Sequence, residues 1–162
     1  MNARYRTILY ATDLTANAAR AFSHALDLAQ LYDAELHVLH VMPEMDASVV
    51  NYVASIVGED RLIDLELEHE DEMKASIRTK VEAFVRDNTD DVASSLALVK
   101  QIHVHHGTPV AEILLTADKL NADLIVLGSH GKGMINYAFL GSVAEKVLRK
   151  CHRPVMIIPL SD

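Results

Sequence analysis

With 162 residues, half of them hydrophobic, and a formal net charge of −8, the chain can bury one substantial core and is too apolar to remain disordered. Its acidic balance, without a concentrated basic patch, argues against nucleic acid or an anionic membrane as partner. A lone cysteine, Cys151, rules out an internal disulfide framework and a cysteine-rich zinc site.

In chain order, the first apolar run, Thr7–Ala11, has the composition of a strand. It is only about five residues long before Asp13, too short for the core of a secretion signal. No later stretch approaches the ~20 apolar residues of a membrane span. The expectation is a soluble protein of the reducing cytoplasm. Over Ala16–Tyr32, Phe22, Ala25, Leu26 and Ala29 recur on one face of a helix. A second apolar run, Leu36–Val41, reads as a strand. Met42–Glu72 mixes helical periodicity with acidic runs, and reads as a mobile or helical insertion. It leads into a helix over Glu66–Arg86, with Met73, Ile77, Val81, Phe84 and Val85 at spacings of three and four.

The third strand is expected over Gln101–His105. Pro109 opens the next helix, whose apolar stripe is Val110, Ile113, Leu114 and Ala117. Asp123–Gly128 is the fourth strand. Ser142, with Glu145 three residues on, has the pattern of a capping box for a last helix that buries Val143, Val147 and Leu148. Val155–Pro159 is the fifth strand. Several runs are apolar at nearly every position, as in strands covered on both faces. Alternating strands and helices, with no linker or repeat to divide them, predict a single α/β domain over residues 1–162 with a parallel sheet.

The segment "GSHGKGMINYAFLGS", Gly128–Ser142, holds four of the six glycines. Glycine lets the backbone approach a ligand closely, and a helix N-terminus offers unpaired N–H groups to an anion. A phosphate is the favoured ligand; on composition alone, the glycines serve the turns of a surface loop equally well. Neither G-x-x-x-x-G-K-[ST] nor G-x-G-x-x-G occurs. The pattern present is Gly128-x2-Gly131-x9-Gly141-Ser142.

That pattern resembles the G-x2-G-x9-G-[ST] signature of the nucleotide-binding branch of the universal stress protein family. The resemblance extends through "ILYATDLTANAARAFSHALDLAQLYDAELHVLHV", "HGTPVAEILLTADKLNADLIVLGSHGKG" and "LGSVAEKVLRKCHRPVMIIP". It implies five parallel strands in the order 3-2-1-4-5, with helices on both faces. Strands 1 and 4 would then flank the reversal of winding, where open α/β sheets bind ligands, and their ends carry Asp13 and Gly128.

The resemblance further implies an ATP-binding regulatory or stress-response protein. Ala11, Thr12 and Asp13 would border the adenosine, with Asp13 a polar contact to adenine or ribose. Backbone at Val41 would meet the adenine edge, and Leu127 and Gly128 would lie along the ribose. His130 and Gly131 would approach the phosphates, with Gly141, Ser142, Val143 and Ala144 supplying helix-start donors. Lys132 could add charge. Asp13 also suits an Asx turn or cap before the first helix, and His130 an exposed loop. Mg²⁺ would accompany ATP, held mainly by phosphate oxygens and water.

The final strand, at the sheet edge in this order, would pair two copies into a homodimer through Val155–Leu160. No catalytic residue or protein metal ligand is assigned. His103 and His105 share a strand face and His106 points away, which needs no metal, and Cys151 suits a packed or partly exposed thiol. The alternatives to nucleotide-dependent regulation are a slow ATPase or phosphoryl-transfer enzyme, and a nucleotide-independent interaction module using Met42–Glu72 as its partner surface.

Overall fold

A computed structural model describes residues 4–15, 18–129 and 140–159. The elements run β1 (Thr7–Thr12), α1 (Ala18–Tyr32), β2 (Glu35–Met42), α2 (Ala47–Val57), α3 (Glu59–Asn88), α4 (Val92–Leu98), β3 (Val99–His106), α5 (Pro109–Leu120), β4 (Leu124–Gly128), α6 (Ser142–Lys150) and β5 (Val155–Ile158). The strands form one sheet in the order β3-β2-β1-β4-β5, and every neighbouring pair is parallel. The expected architecture and strand order are both present.

Strand periodicity explains why the apolar runs are almost continuous. Successive side chains leave the sheet on opposite faces, and both faces here are covered. Ile8, Tyr10, Leu36, Val38, Leu124 and Val126 enter one core with Phe22, Ala25 and Ala29 of α1 and Ile77, Val81 and Val85 of α3. Leu9, Leu39, Ile125 and Leu127 enter the other with Val110, Ile113 and Ala117 of α5 and Ala144 and Val147 of α6. Register at the sheet's lower end is tied by Asp123, whose Oδ2 accepts from the backbone N–H of Arg6 at 2.8 Å and Thr7 at 3.0 Å.

Several details differ from the sequence expectations. Met42–Glu72 takes the helical alternative: it contains α2 and the first turns of α3, divided at Gly58, whose φ of +88° suits glycine. The helix expected from Glu66 therefore begins at Glu59, with two carboxylates in its first turn. The short α4 was not anticipated; Asp91 caps it, its Oδ1 accepting from Ser94 N–H at 3.2 Å.

The capping box at Ser142 does not form. Gly141 is the N-cap and makes no side-chain cap hydrogen bond, so Ser142 is the first helical residue. The buried face of α6 shifts accordingly. Ala144 and Val147, three apart, face the core, whereas Leu148 lies one helical step further round and is 50% exposed.

Candidate functional site

In the chain direction β1 feeds β2 on one side, while β4 feeds β5 on the other, so the winding reverses between β1 and β4. Helices leaving the two strands go to opposite faces, and a crevice opens beyond their carboxyl ends. The crevice is a cavity of about 490 Å³, within the usual range for small-molecule sites. Ala11, Thr12 and Asp13 from the end of β1 line it, as do Val41 from β2, Leu127 and Gly128 from β4, and Gly141, Ser142, Val143 and Ala144 from the start of α6. Every predicted site residue within the described residues thus meets in one hollow. His130, Gly131 and Lys132 lie outside the described residues.

Backbone hydrogen bonds tie the start of α6 to the end of β4. Gly141 N–H donates to the Ser129 carbonyl at 2.7 Å, and Ser129 N–H donates to the Ile158 carbonyl at 2.8 Å. The first intrahelical bond joins Glu145 N–H to the Gly141 carbonyl. The N–H groups of Ser142, Val143 and Ala144 therefore have no intrahelical acceptor, and Gly141 has no side chain to supply one. They form a partial positive charge on the cavity wall. Among the described lining residues there is no lysine or arginine, and what these residues offer an anion is the backbone N–H groups of this helix start and the Ser142 hydroxyl.

Asp13 lines the same cavity. Its Oδ1 accepts from Thr15 N–H at 3.0 Å and Thr15 Oγ1 at 2.8 Å. This is an Asx turn, which carries the chain through Leu14 at φ +61°. Half of the carboxylate is explained by that turn. The other oxygen, Oδ2, is buried and has no hydrogen-bond partner, a costly condition for an acceptor.

Among the further lining residues that sequence reasoning missed are His40, Tyr10 and Pro43. His40 donates from Nδ1 to the Thr12 carbonyl at 2.9 Å, pinning the end of β1 to β2 and leaving Nε2 as the neutral ring's acceptor. Tyr10 donates its hydroxyl to the Ala18 carbonyl at 2.9 Å. Burial pushes its phenol up to about 12, against a lowering hydrogen bond with Thr12 and with a smaller raising effect from Asp13, so it remains a neutral donor. Pro43 closes the rim beyond β2.

The histidines of β3 belong elsewhere. His103 Nε2 and His37 Nδ1 share a hydrogen bond of 3.0 Å. His105 Nδ1 meets Glu112 of α5 at 3.1 Å, and His106 Nδ1 meets Glu70 of α3 at 3.1 Å, on the opposite face. Burial, then the neighbouring His37, His105 and Lys74, lower the His103 pKa to about 4. Among the described residues, no group of three or more histidine, cysteine, aspartate or glutamate side chains is placed to hold a metal. Cys151 is half-buried beside the second core and accepts from Arg153 N–H at 3.3 Å. Among the described residues, no helix is long and apolar enough to cross a membrane.

The universal stress protein family model matches residues 4–159. The universal stress protein MJ0577 of Methanocaldococcus jannaschii is 30% identical over 158 residues, spanning 98% of this chain and 97% of that one. The universal stress protein UspA from Lactobacillus plantarum superimposes with a TM-score of 0.71 at 28% identity, over 97% of this chain and 99% of its own. A universal stress protein solved in complex with cAMP shares the fold, with a TM-score of 0.56 at 22% identity over 98% of this chain and 99% of its own.

Proposed function

The chain belongs to the universal stress protein family, and on that footing we propose that it is a regulatory, stress-response protein that binds ATP, or another adenine nucleotide, and works as a homodimer. The observation that carries the reading is the meeting of two kinds of polar group in one cavity. The amides of Ser142, Val143 and Ala144 have no intrahelical acceptor, while Asp13 Oδ2 has no hydrogen-bond partner. A nucleotide is complementary to both: its phosphates are acceptors only, and its ribose hydroxyls and adenine amino group are donors. The residues present therefore fit such a ligand.

In this reading the adenosine lies among Ala11, Thr12, Asp13, Val41, Leu127 and Gly128, and the phosphates lie at Gly141–Ala144 with His130 and Gly131. Mg²⁺ accompanies the phosphates, held chiefly by their oxygens and water. The universal stress protein solved with cAMP supports an adenine nucleotide as the class of ligand. The described lining residues favour holding over turnover. Asp13 is their only carboxylate, and one of its oxygens is committed to the Asx turn.

The homodimer forms through β5, which has a neighbour on one side only. Ile125 N–H donates to the Pro154 carbonyl and Ser129 N–H to the Ile158 carbonyl. In a parallel ladder alternate residues face opposite edges, so Val155 and Ile157 present their backbone groups outward. A second copy of the strand would satisfy them.

The test is calorimetric titration of nucleotide-free protein with Mg-ATP, together with analysis of small molecules released when the purified protein is denatured. Saturable binding below millimolar is expected. No released nucleotide and no saturation at millimolar Mg-ATP would remove the reading.

A further inference from the structure

The α2–α3 hairpin carries an apolar surface that the fold leaves unused. None of the eleven residues of α2 is buried, and none is charged. It half-buries Val50, Val53 and Ala54 and packs mainly on α3. Val49, Tyr52 and Ile56, at spacings of three and four, point outward and are 48%, 68% and 65% exposed. On α3, Ile63 and Leu67, four apart, are each 54% exposed. Isolated exposed apolar residues need no explanation, but a helically spaced set on each of two successive, mutually packed helices is more than isolated exposure.

The border of that surface has one sign of charge. Residues 59–72 contain eight carboxylates (Glu59, Asp60, Asp64, Glu66, Glu68, Glu70, Asp71 and Glu72) against a single arginine, Arg61. Asp60, Asp64 and Asp71 follow one line along α3, four and seven residues apart, on the outer side of the Ile63–Leu67 stripe. All three are exposed, and among the described residues none takes part in an ion pair.

We propose that this surface docks a helical partner segment that is apolar on one side and flanked by lysine or arginine. Helix-in-groove recognition needs an apolar stripe of this kind, with complementary charge at its edges fixing register and hastening encounter. A second copy of the chain is the poorer occupant. A twofold interface would set the aspartate line of one copy close to that of the other, in a protein already at −8. An anionic lipid surface would meet the same repulsion.

The test uses the full chain and an amidated peptide of about four helical turns, with leucine on one face, lysine on the others, and one tryptophan among the leucines. The protein has no tryptophan, so the peptide's emission reports its own burial. A saturable blue shift is expected, with a Kd of roughly 10–100 µM that weakens several-fold between about 0.05 M and 0.3 M salt.

The deciding variant is Tyr52→Asp with Ile56→Asp, checked for an unchanged melting temperature; Tyr52→Asp alone is the reserve. Docking predicts a loss of at least about tenfold, whereas non-specific attraction to an acidic protein would become tighter. Asp60→Asn, Asp64→Asn and Asp71→Asn together should weaken binding and flatten its salt dependence. Absence of saturation, undiminished binding to the double variant, or equal binding of a peptide with glutamate for lysine would overturn the proposal. So would self-association that Ile56→Asp abolishes, or co-sedimentation with zwitterionic vesicles that it abolishes, since each assigns the surface to another occupant. None of these outcomes depends on nucleotide binding.

Discussion

Replacing Asp13 by asparagine separates its two oxygens. The amide oxygen can still accept from Thr15 N–H and Thr15 Oγ1, now at 3.0 and 2.8 Å, so the Asx turn survives. The position of the unpartnered Oδ2 becomes an NH₂ group, which cannot accept. Leaving a buried polar atom unsatisfied costs about 1–3 kcal/mol, and the substitution removes a carboxylate oxygen in that condition. The nucleotide-free Asp13→Asn protein should therefore melt within a few degrees of wild type, a change below about 1 kcal/mol. ATP affinity should fall much further. A hydrogen bond to a charged group contributes about 1.5–3 kcal/mol, which is roughly a 10- to 150-fold rise in Kd. Asp13→Ala removes both functions: it should lose comparable affinity and, with the turn broken, about 0.5–2 kcal/mol of stability as well. Thermal melts with and without Mg-ATP give both quantities, since bound ligand stabilises the fold by RT ln(1 + [L]/Kd). An Asp13→Asn protein that is destabilised like Asp13→Ala but binds ATP normally would make Asp13 a turn residue and nothing more.

Ile157→Pro removes an outward N–H from the edge of β5, and should turn the proposed dimer into a folded monomer in sedimentation velocity; a dimer of unchanged strength would place the interface elsewhere, and a monomeric wild type would remove it. His103 resists protonation inside the fold, with a pKa lowered to about 4 by burial first, and His37 is lowered for the same reason. Between pH 6.5 and about 4 the unfolded chain binds more protons, so stability is full above 6.5 and declines as pH falls through that window. His103 is only partly buried, which limits its share to about 1–3 kcal/mol. His103→Gln should flatten the decline seen by urea unfolding at pH 7 and pH 4.5, and a parallel profile would refute the assignment. Gly107, at φ +143°, would place an added Cβ 3.2 Å from Glu112 Cγ. Gly107→Ala should cost about 1–2 kcal/mol in urea unfolding, and a neutral result would count against that geometry.

The sheet was legible because its strands are short, several are apolar at successive positions, and helices of clear periodicity separate them; Leu124–Leu127 illustrates it, with Leu124 and Val126 in one core and Ile125 and Leu127 in the other. Strand order was not readable from the runs themselves and came from the family resemblance. The site was legible where backbone chemistry leaves a mark in composition, as at Gly128 and Gly141–Ser142. His40 and Pro43 left no such mark, since their roles depend on which strand ends lie side by side. The start of α6 was misread by one residue because serine followed by Glu145 satisfies a capping pattern. Glycine at the true cap has no side chain to detect, yet its bareness is what exposes the amides of the first turn. Met42–Glu72 stayed ambiguous because α2 has no buried face: its apolar residues at 49, 52 and 56 obey helical spacing but point to solvent.

The cavity and the hairpin are joined by a short piece of backbone. Val41 and Pro43 line the cavity, and Met42 between them accepts from Gly107 N–H at 2.9 Å, which fixes the end of β2 to the start of the loop before α5. Three residues beyond Pro43, Asp46 caps α2, its Oδ1 accepting from Ser48 N–H at 2.8 Å. A ligand against Val41 and a partner against Tyr52 would therefore load opposite ends of one tether of a few residues. Coupling between two such sites is a free energy and must be reciprocal: the factor by which Mg-ATP changes peptide affinity has to equal the factor by which peptide changes ATP affinity. Measuring both sides of that cycle distinguishes a signalling connection from mere proximity, because two independent sites give a factor of one in each direction.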